Sequence, residues 1–357
     1  MIVRKEITII LLVNEVGENI MKKHIGLKIF GIIIGVAAIF MATINIIPPK
    51  KVLEDNPFIN KERLPMIAAH RGGSTTNPEN TLKAYKTAVN EYKIDIVESD
   101  LWLTKDNHLV YNHDGYIDRT SDVNGDLPLE EVMTLCEKKE NRHYISDYTL
   151  EELKQYNFGY YFTDENNNRP YKDLTKEQVV KENLQILELN DLFEAFYETN
   201  PELLFIVEIK DSGERGFESA NQLDYSLTNL YPKYKNHVVI GTFHDEIEKD
   251  LKINHPSLLR GASTRAAAKF VITELLKVNL FDDGSFACLQ IPTSYDLGIT
   301  FHLDKKQYIE RAHKRNIAVQ YWTINDEKTM RELIDLGCDA IMTDNPVLLR
   351  QVLDSYK

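Results

Sequence analysis

Short apolar runs alternate with helical patterns along nearly the whole chain beyond residue 64, and this alternation constrains the fold more than any other feature. The runs are MIAAH (66–70), DIVESDLWLT (95–104), LVYNH (109–113), LLFIVEIK (203–210), HVVIG (237–241), LLRGA (258–262), FACLQI (286–291), IAVQYWTI (317–324) and AIMTD (340–344). They are too short for helices and rich in β-branched residues, so they read as buried strands. Between them lie amphipathic patterns such as TLKAYKTAVNEY (81–92) and LNDLFEAFYE (189–198). Strand and helix in strict alternation predict a parallel α/β fold, and a stretch of about 290 residues suits a TIM (β/α)8 barrel over 65–353. One segment breaks the rhythm. Residues 115–185 carry mixed polar and aromatic sequence, with a helix expected at LEELKQY (150–156) and the run Phe158-Gly159-Tyr160-Tyr161-Phe162. This segment reads as an insertion after the second strand, on the face where barrel loops build active sites, with its aromatics forming a small core of their own.

Ahead of this body, residues 29–47 read IFGIIIGVAAIFMATINII, with only Thr43 and Asn45 polar. At 1.5 Å per residue the run crosses a bilayer core of about 30 Å, and its lack of amphipathicity argues against a core helix. Lys22, Lys23 and Lys28 precede it and Pro48-Pro49 follow it, which predicts a single-pass helix in the cell membrane with residues 1–28 cytoplasmic and the body outside. The run is longer than a signal-peptide core and no cysteine follows for lipid attachment, so a retained anchor is expected over a cleaved signal. Met21-Lys22-Lys23 before an apolar run has the form of a bacterial export start, and translation from Met21, leaving out residues 1–20, is a further expectation. Residues 48–64 read as a short polar linker.

The chain has 357 residues with 42 basic against 55 acidic, a net charge of −13. Its first fifty residues hold six basic side chains against three acidic, so the remainder carries −16. A body that acidic repels phosphate backbones, and no basic run is interleaved with aromatics, so nucleic acid is not an expected partner. A phosphate-bearing substrate is still admissible if a metal ion lies between it and the protein. Cys136, Cys288 and Cys338 are odd in number and lack metal-site spacing, so they read as small buried hydrophobes.

The residues that end the strands carry the chemistry. His70-Arg71 closes the first, Glu98 and Asp100 the second, His113-Asp114 the short run after it, and Glu208 and Lys210 the next. C-terminal strand ends are where barrels place catalysis, and burying such charges elsewhere would only cost stability. Residues two apart on a strand share a face, so Glu98 with Asp100 and Glu208 with Lys210 point the same way. Converging carboxylates repel unless a cation binds them, and oxygen-only ligands suit Mg²⁺ or Ca²⁺. His70 and His113 supply groups that exchange protons near neutral pH. Arg71 and Lys210 offer fixed positive charge to a phosphoryl group. Together these parts fit phosphodiester cleavage by electrostatic stabilisation and acid–base catalysis.

His70-Arg71-Gly72 with Pro78-Glu79-Asn80-Thr81, Glu98-Ser99-Asp100 with Thr104-Lys105-Asp106, His113-Asp114, Glu208-Ile209-Lys210, Trp322-Thr323-Ile324-Asn325 and Thr343-Asp344-Asn345-Pro346 keep an order that resembles the glycerophosphodiester phosphodiesterase family. The resemblance covers about residues 65–353. It implies a TIM barrel, one divalent cation, and hydrolysis of glycerophosphodiesters to an alcohol and glycerol 3-phosphate. Carried over residue by residue, it implies Glu98, Asp100 and Glu208 as metal ligands, His70 and His113 as the acid–base pair, and Arg71 and Lys210 on the phosphate. Glu79 falls at the metal or substrate edge, Asn80 is either functional or the cap of the helix beginning near Thr81, and Trp322 either walls the glycerol side of the pocket or is a core residue. Gly73-Ser74-Thr75 and Asn107 depart from the family's usual residues without removing a catalytic group.

The attacking group stays open between the glycerol's own neighbouring hydroxyl, giving a cyclic phosphate, and water. A lysophospholipase D, or an exo-acting teichoic acid phosphodiesterase, would use the same site on a membrane- or wall-derived substrate. A wall-facing binding module would require a broken set of site residues. A phosphatidylinositol-specific phospholipase C shares the two histidines but fits the Pro-Glu-Asn-Thr and Glu-Ile-Lys elements less well.

Overall fold

The computed structural model describes residues 2–46, 50–60, 62, 64–278, 284–296, 298 and 300–357, with side chains described from residue 21 onward in the N-terminal helix except at 45 and 46. Two units make up the chain, one of residues 1–49 with 272–283 and one of residues 50–271 with 284–357.

In the first unit a single helix runs Ile2–Ile46. Its segment Met21–Ile44 is 24 residues, long and apolar enough to cross a membrane. Side chains along it, Phe30, Ile32, Ile34 and Ile39 among them, are exposed, unlike those of a soluble core helix. The apolar stretch read as 29–47 thus sits inside a longer helix, and Ile47 lies outside the described residues.

The second unit is the expected barrel. Eight parallel strands follow one another around it: β1 Met66–Ala69, β2 Ile96–Leu103, β3 Leu204–Ile209, β4 Val238–Gly241, β5 Leu259–Arg260, β6 Cys288–Ile291, β7 Ala318–Tyr321 and β8 Ala340–Thr343. The ring closes between β5 and β6 through a parallel bridge of Gly261 with Cys288, where Ala262 N donates to Cys288 O at 2.8 Å. Helices follow the strands, from Leu82–Asn90 after β1 to Pro346–Asp354 after β8. Outward-facing Ile67, Val97, Phe205, Val207, Leu289, Val319 and Ile341 are buried with the helices in the main core.

Side-chain parity along the strands places the site. Ala68, Ile96, Leu204, Ile206, Val239, Cys288, Ala318, Ala340 and Met342 form an apolar core inside the barrel. Because strand side chains alternate, continuing each inward series by two residues toward the strand's C-terminal end gives Glu98 and Asp100 after Ile96, Glu208 after Ile206, Gln290 after Cys288, Gln320 after Ala318, and Asp344 after Met342. The barrel interior is therefore apolar below and polar at its C-terminal mouth.

The opposite end is plugged from the chain's own upstream segment. Phe58 is fully buried in the inner apolar cluster. Asn56 Nδ2 donates to Ala287 O at 2.8 Å and Asn316 O at 2.9 Å, just before β6 and β7. Val52 N donates to Arg315 O at 2.8 Å. The stretch read as a linker, 48–64, is over 52–60 part of the barrel's lower end. The apolar Phe58 and the two bonds donated by Asn56 cover the lower end of the inner apolar cluster.

The insertion has the expected core of its own. Ile117, Ile145, Leu150, Leu153 and Phe158 pack with Val110 and Ile186, and Val132, Cys136, Tyr160 and Tyr161 form a second cluster. The helix expected over 150–156 is a single turn, Leu150–Leu153, held by a capping box in which Thr149 and Glu152 satisfy each other's backbone N–H. The three cysteines are free and buried. Asn107 adopts φ +62°, a conformation that asparagine tolerates, so it can stand where the family often has glycine.

Candidate active site

The strand ends converge as parity requires. In the parallel pairing of β2 with β3, Asp100 lies directly opposite Glu208. One carboxylate oxygen each from Glu98, Asp100 and Glu208 lies within 4.8 Å of the others. Glu98 and Asp100 are almost wholly buried. Burial, then the neighbouring Asp100 charge, pushes the Glu98 carboxyl up to about 7. Burial likewise raises Glu208, against the pull of Lys210. Lys210 Nζ sits 3.1 Å from Asp100 and 2.9 Å from Glu208, and these carboxylates hold it charged despite its burial.

This donor set fits a hard divalent cation. All three ligands are carboxylates, burial and the neighbouring Asp100 charge raise one of them, Glu98, and the buried Oδ2 of Asp100 has no hydrogen-bond partner among the described residues. Mg²⁺ and Ca²⁺ both answer to that chemistry.

β1 ends at Ala69, and His70-Arg71-Gly72 form a tight turn over the carboxylates. Arg71 has φ +52°, Gly72 φ +85°, and a Cβ on Gly72 would fall 2.8 Å from the Ala84 side chain, so this turn needs glycine to approach the following helix. Arg71 N donates to Glu98 at 2.8 Å, its guanidinium lies 3.5 Å from Asp100, and Nη1 donates to Glu79 at 3.3 Å. His70 Nε2 is 4.0 Å from Glu98, while Nδ1 is 2.6 Å from Asp344. Asp344 also accepts from Ser74 Oγ at 2.7 Å and from Asn325 Nδ2 at 2.6 Å.

His113 enters from the turn after the short strand Leu109–Tyr111, which pairs antiparallel with β2. Its Nδ1 is 3.0 Å from Asp114, and Trp102 Nε1 donates to its carbonyl at 3.1 Å. Burial would raise Asp114, but His113 and Arg119 hold it at about 2.

The remaining candidates divide. Glu79 is on the site, bridging Arg71 and Arg119. Asn80 is not the helix cap: Thr81 caps Leu82–Asn90 by accepting from Ala84 N, because Asn80 at φ +55° lies one residue too early and turns inward. Its Oδ1 accepts from Tyr85 OH at 2.8 Å, and its buried Nδ2 has no partner among the described residues. Trp322 follows β7 at the mouth, packs on the inner apolar cluster and meets Phe243 edge-on at 6.3 Å.

Asp344 and Arg119 had no role in the sequence reading. Asp344 could have been found, since it continues the inward series of β8 past Met342. Arg119 could not, because its side chain reaches the site from an irregular loop with no periodicity to follow.

The profile of the Glycerophosphoryl diester phosphodiesterase family matches residues 70–348. The chain belongs to this family. It is 26% identical over 286 residues to the glycerophosphodiester phosphodiesterase of Caldanaerobacter subterraneus subsp. tengcongensis, covering 80% of this chain and 96% of that protein. It is 24% identical over 341 residues to the glycerophosphodiester phosphodiesterase of Bacillus subtilis, covering 94% and 100%. The solved structure of a phosphodiesterase from Oleispira antarctica, in complex with the product sn-glycerol-3-phosphate, superimposes with a TM-score of 0.58 at 23% identity, covering 82% of this chain and 97% of that one. Like the family, the chain is a phosphoric diester hydrolase, a glycerophosphodiester phosphodiesterase.

Proposed function

We propose that the chain hydrolyses glycerophosphodiesters to an alcohol and glycerol 3-phosphate, with a divalent cation held by Glu98, Asp100 and Glu208 and with His70 and His113 as the acid–base pair. The observation that carries this reading is the convergence of the three carboxylates at one mouth with His70 and Arg71 from β1 and Lys210 from β3. When bound, the cation supplies positive charge to the phosphate as negative charge develops on it. Arg71 presents a planar fork to the phosphate oxygens, and Lys210 adds a point charge. Asp344 and Asp114 accept from the Nδ1 positions of His70 and His113, leaving each Nε2 to take or give a proton. One histidine deprotonates the attacking group, either water or the neighbouring glycerol hydroxyl, and the other protonates the departing alcohol; where the hydroxyl attacks, water then opens the cyclic phosphate to give glycerol 3-phosphate. Asn80 Nδ2 and Trp322 complete the substrate side.

Met21–Ile44 serves in this reading as a retained single-pass anchor, with the N-terminus cytoplasmic, the barrel over 65–353 outside the membrane and a glycerophosphodiester or lipid-derived substrate. The basic residues Lys22, Lys23 and Lys28 at its start support that orientation. The deciding experiment measures glycerol 3-phosphate released by the full-length chain from glycerophosphocholine, glycerophosphoglycerol, a lysophospholipid and teichoic acid, with and without EDTA. Cation-dependent release from the small diesters is expected, and EDTA-insensitive release, or none, overturns the reading.

A further inference from the structure

The insertion does more than pack against itself. Arg119 leaves it and spans two carboxylates that belong to different loops. Its Nη1 and Nη2 donate to the two oxygens of Glu79 at 2.9 and 2.7 Å, and its Nε donates to Asp114 Oδ2 at 2.6 Å. Glu79 in turn accepts from Arg71, and Asp114 from His113. His113, Asp114, Arg119, Glu79 and Arg71 therefore form one chain in which hydrogen-bond donors alternate with carboxylate acceptors. The three inner groups are largely shielded from water, with side chains 18, 26 and 13% exposed, so these charge-assisted contacts are less screened by solvent than surface ion pairs.

We propose that Arg119 is a positioning residue of the active site, which fixes Asp114 behind His113 and restrains Glu79 so that Arg71 stays free for the phosphate; the inference rests on the acid–base and phosphate roles proposed above. Its geometry explains why one fork is needed at this point. Glu79 lies against both guanidinium groups, and an unrestrained Glu79 would close on Arg71 and compete with the substrate phosphate. Asp114 held only by His113 would leave the imidazole free to turn, and misplacement of a catalytic group by about 1 Å costs on the order of 10²-fold in rate. The residue thus acts on two quantities at once, substrate affinity through Glu79 and turnover through Asp114.

Steady-state kinetics of the full-length chain with glycerophosphocholine separate these effects. In R119M, kcat is expected to fall about 10²-fold and KM to rise about tenfold, with the melting temperature and Mn²⁺ binding near wild type. The double variant R119M/E79Q removes the carboxylate that captures Arg71, so KM is expected to return toward the wild-type value while kcat stays low, a non-additivity that a purely structural arginine would not produce. R119K, whose compact ammonium cannot reproduce the planar fork that spans Glu79 and Asp114, is expected to lose kcat several-fold and serves where R119M does not fold. Wild-type kinetics in R119M or R119K, or additive KM effects in the double variant, overturn the inference. An inactive wild-type chain overturns instead the functional reading on which it rests.

Discussion

His70 Nδ1 and Asp344 Oδ1 lie 2.6 Å apart although 274 residues separate them in the chain. β1 pairs with β8, Ala69 lying opposite Thr343, so the two residues that follow these partners meet where the first and last strands of the barrel lie side by side. Burial pulls the His70 imidazole down, but the facing Glu98 and the bond to Asp344 outweigh it and raise its pKa. Asp344, despite its own burial, is held well below the usual carboxylate range by His70, Ser74 and Asn325.

Asp344→Asn follows directly. The amide keeps the volume but no longer demands a proton on Nδ1, so the imidazole loses its fixed tautomer and its charged support. A fall in kcat of about 10²-fold or more is expected, with the fold retained, since a partner behind a catalytic histidine sets both orientation and basicity. Stopped assays of glycerol 3-phosphate release with D344N protein of unchanged circular dichroism provide the check, and near wild-type kcat would remove Asp344 from the mechanism.

His70→Ala and His113→Ala should each abolish measurable turnover while leaving cation binding near wild type, because neither imidazole lies among the three carboxylates. Calorimetric titration of each variant with Mn²⁺, beside the activity assay, distinguishes a lost proton donor from a lost cation. Either variant turning over near the wild-type rate would show the acid–base assignment to be wrong.

The cation site should itself be pH-sensitive. Glu98 stands at about 7 without a cation, so below that pH a bound cation must displace a proton, and above it no proton stands in the way. Apparent affinity is therefore expected to fall by about tenfold per pH unit as pH drops below 7 and to level off above it. Glu98→Gln should bind the cation weakly and without that slope. Titrations of the wild-type chain between pH 5.5 and 8 would contradict this if the apparent affinity stayed flat.

What could be read from the sequence was what strand geometry dictates. Glu98, Asp100 and Glu208 were legible as one cluster because residues two apart share a face on any strand. His70 and Arg71 were legible because they end a strand. Asp344 was open to the same parity argument, but its meeting with His70 depends on β1 and β8 becoming neighbours, and Arg119 depends on the path of an irregular loop. Asn80 stayed open between a functional residue and a helix cap, and the structure gives the cap to Thr81, because the φ of +55° at Asn80 and the one-residue shift are set by the turn behind Arg71, not by local propensity. The lower plug was hidden for a similar reason, since NPFIN (56–60) reads as a loop until the barrel offers Phe58 a cavity.

That plug yields the last prediction. Phe58 is fully buried among Ala68, Ala287, Ala318 and Ala340, small residues that leave room for one ring at the bottom of the barrel. Removing the ring from a site walled by strand backbones gives little scope for collapse, so Phe58→Ala should cost about 3–5 kcal/mol, the usual range for an aromatic core truncation. Chemical denaturation of the full-length chain reads this directly. The same packing implies that a chain beginning at residue 65 loses the plug along with the Asn56 bonds to Ala287 and Asn316, whereas one beginning at residue 50 keeps them. The shorter chain should melt well below the longer one. Equal melting temperatures would mean that residues 50–64 only lie against a barrel that closes without them.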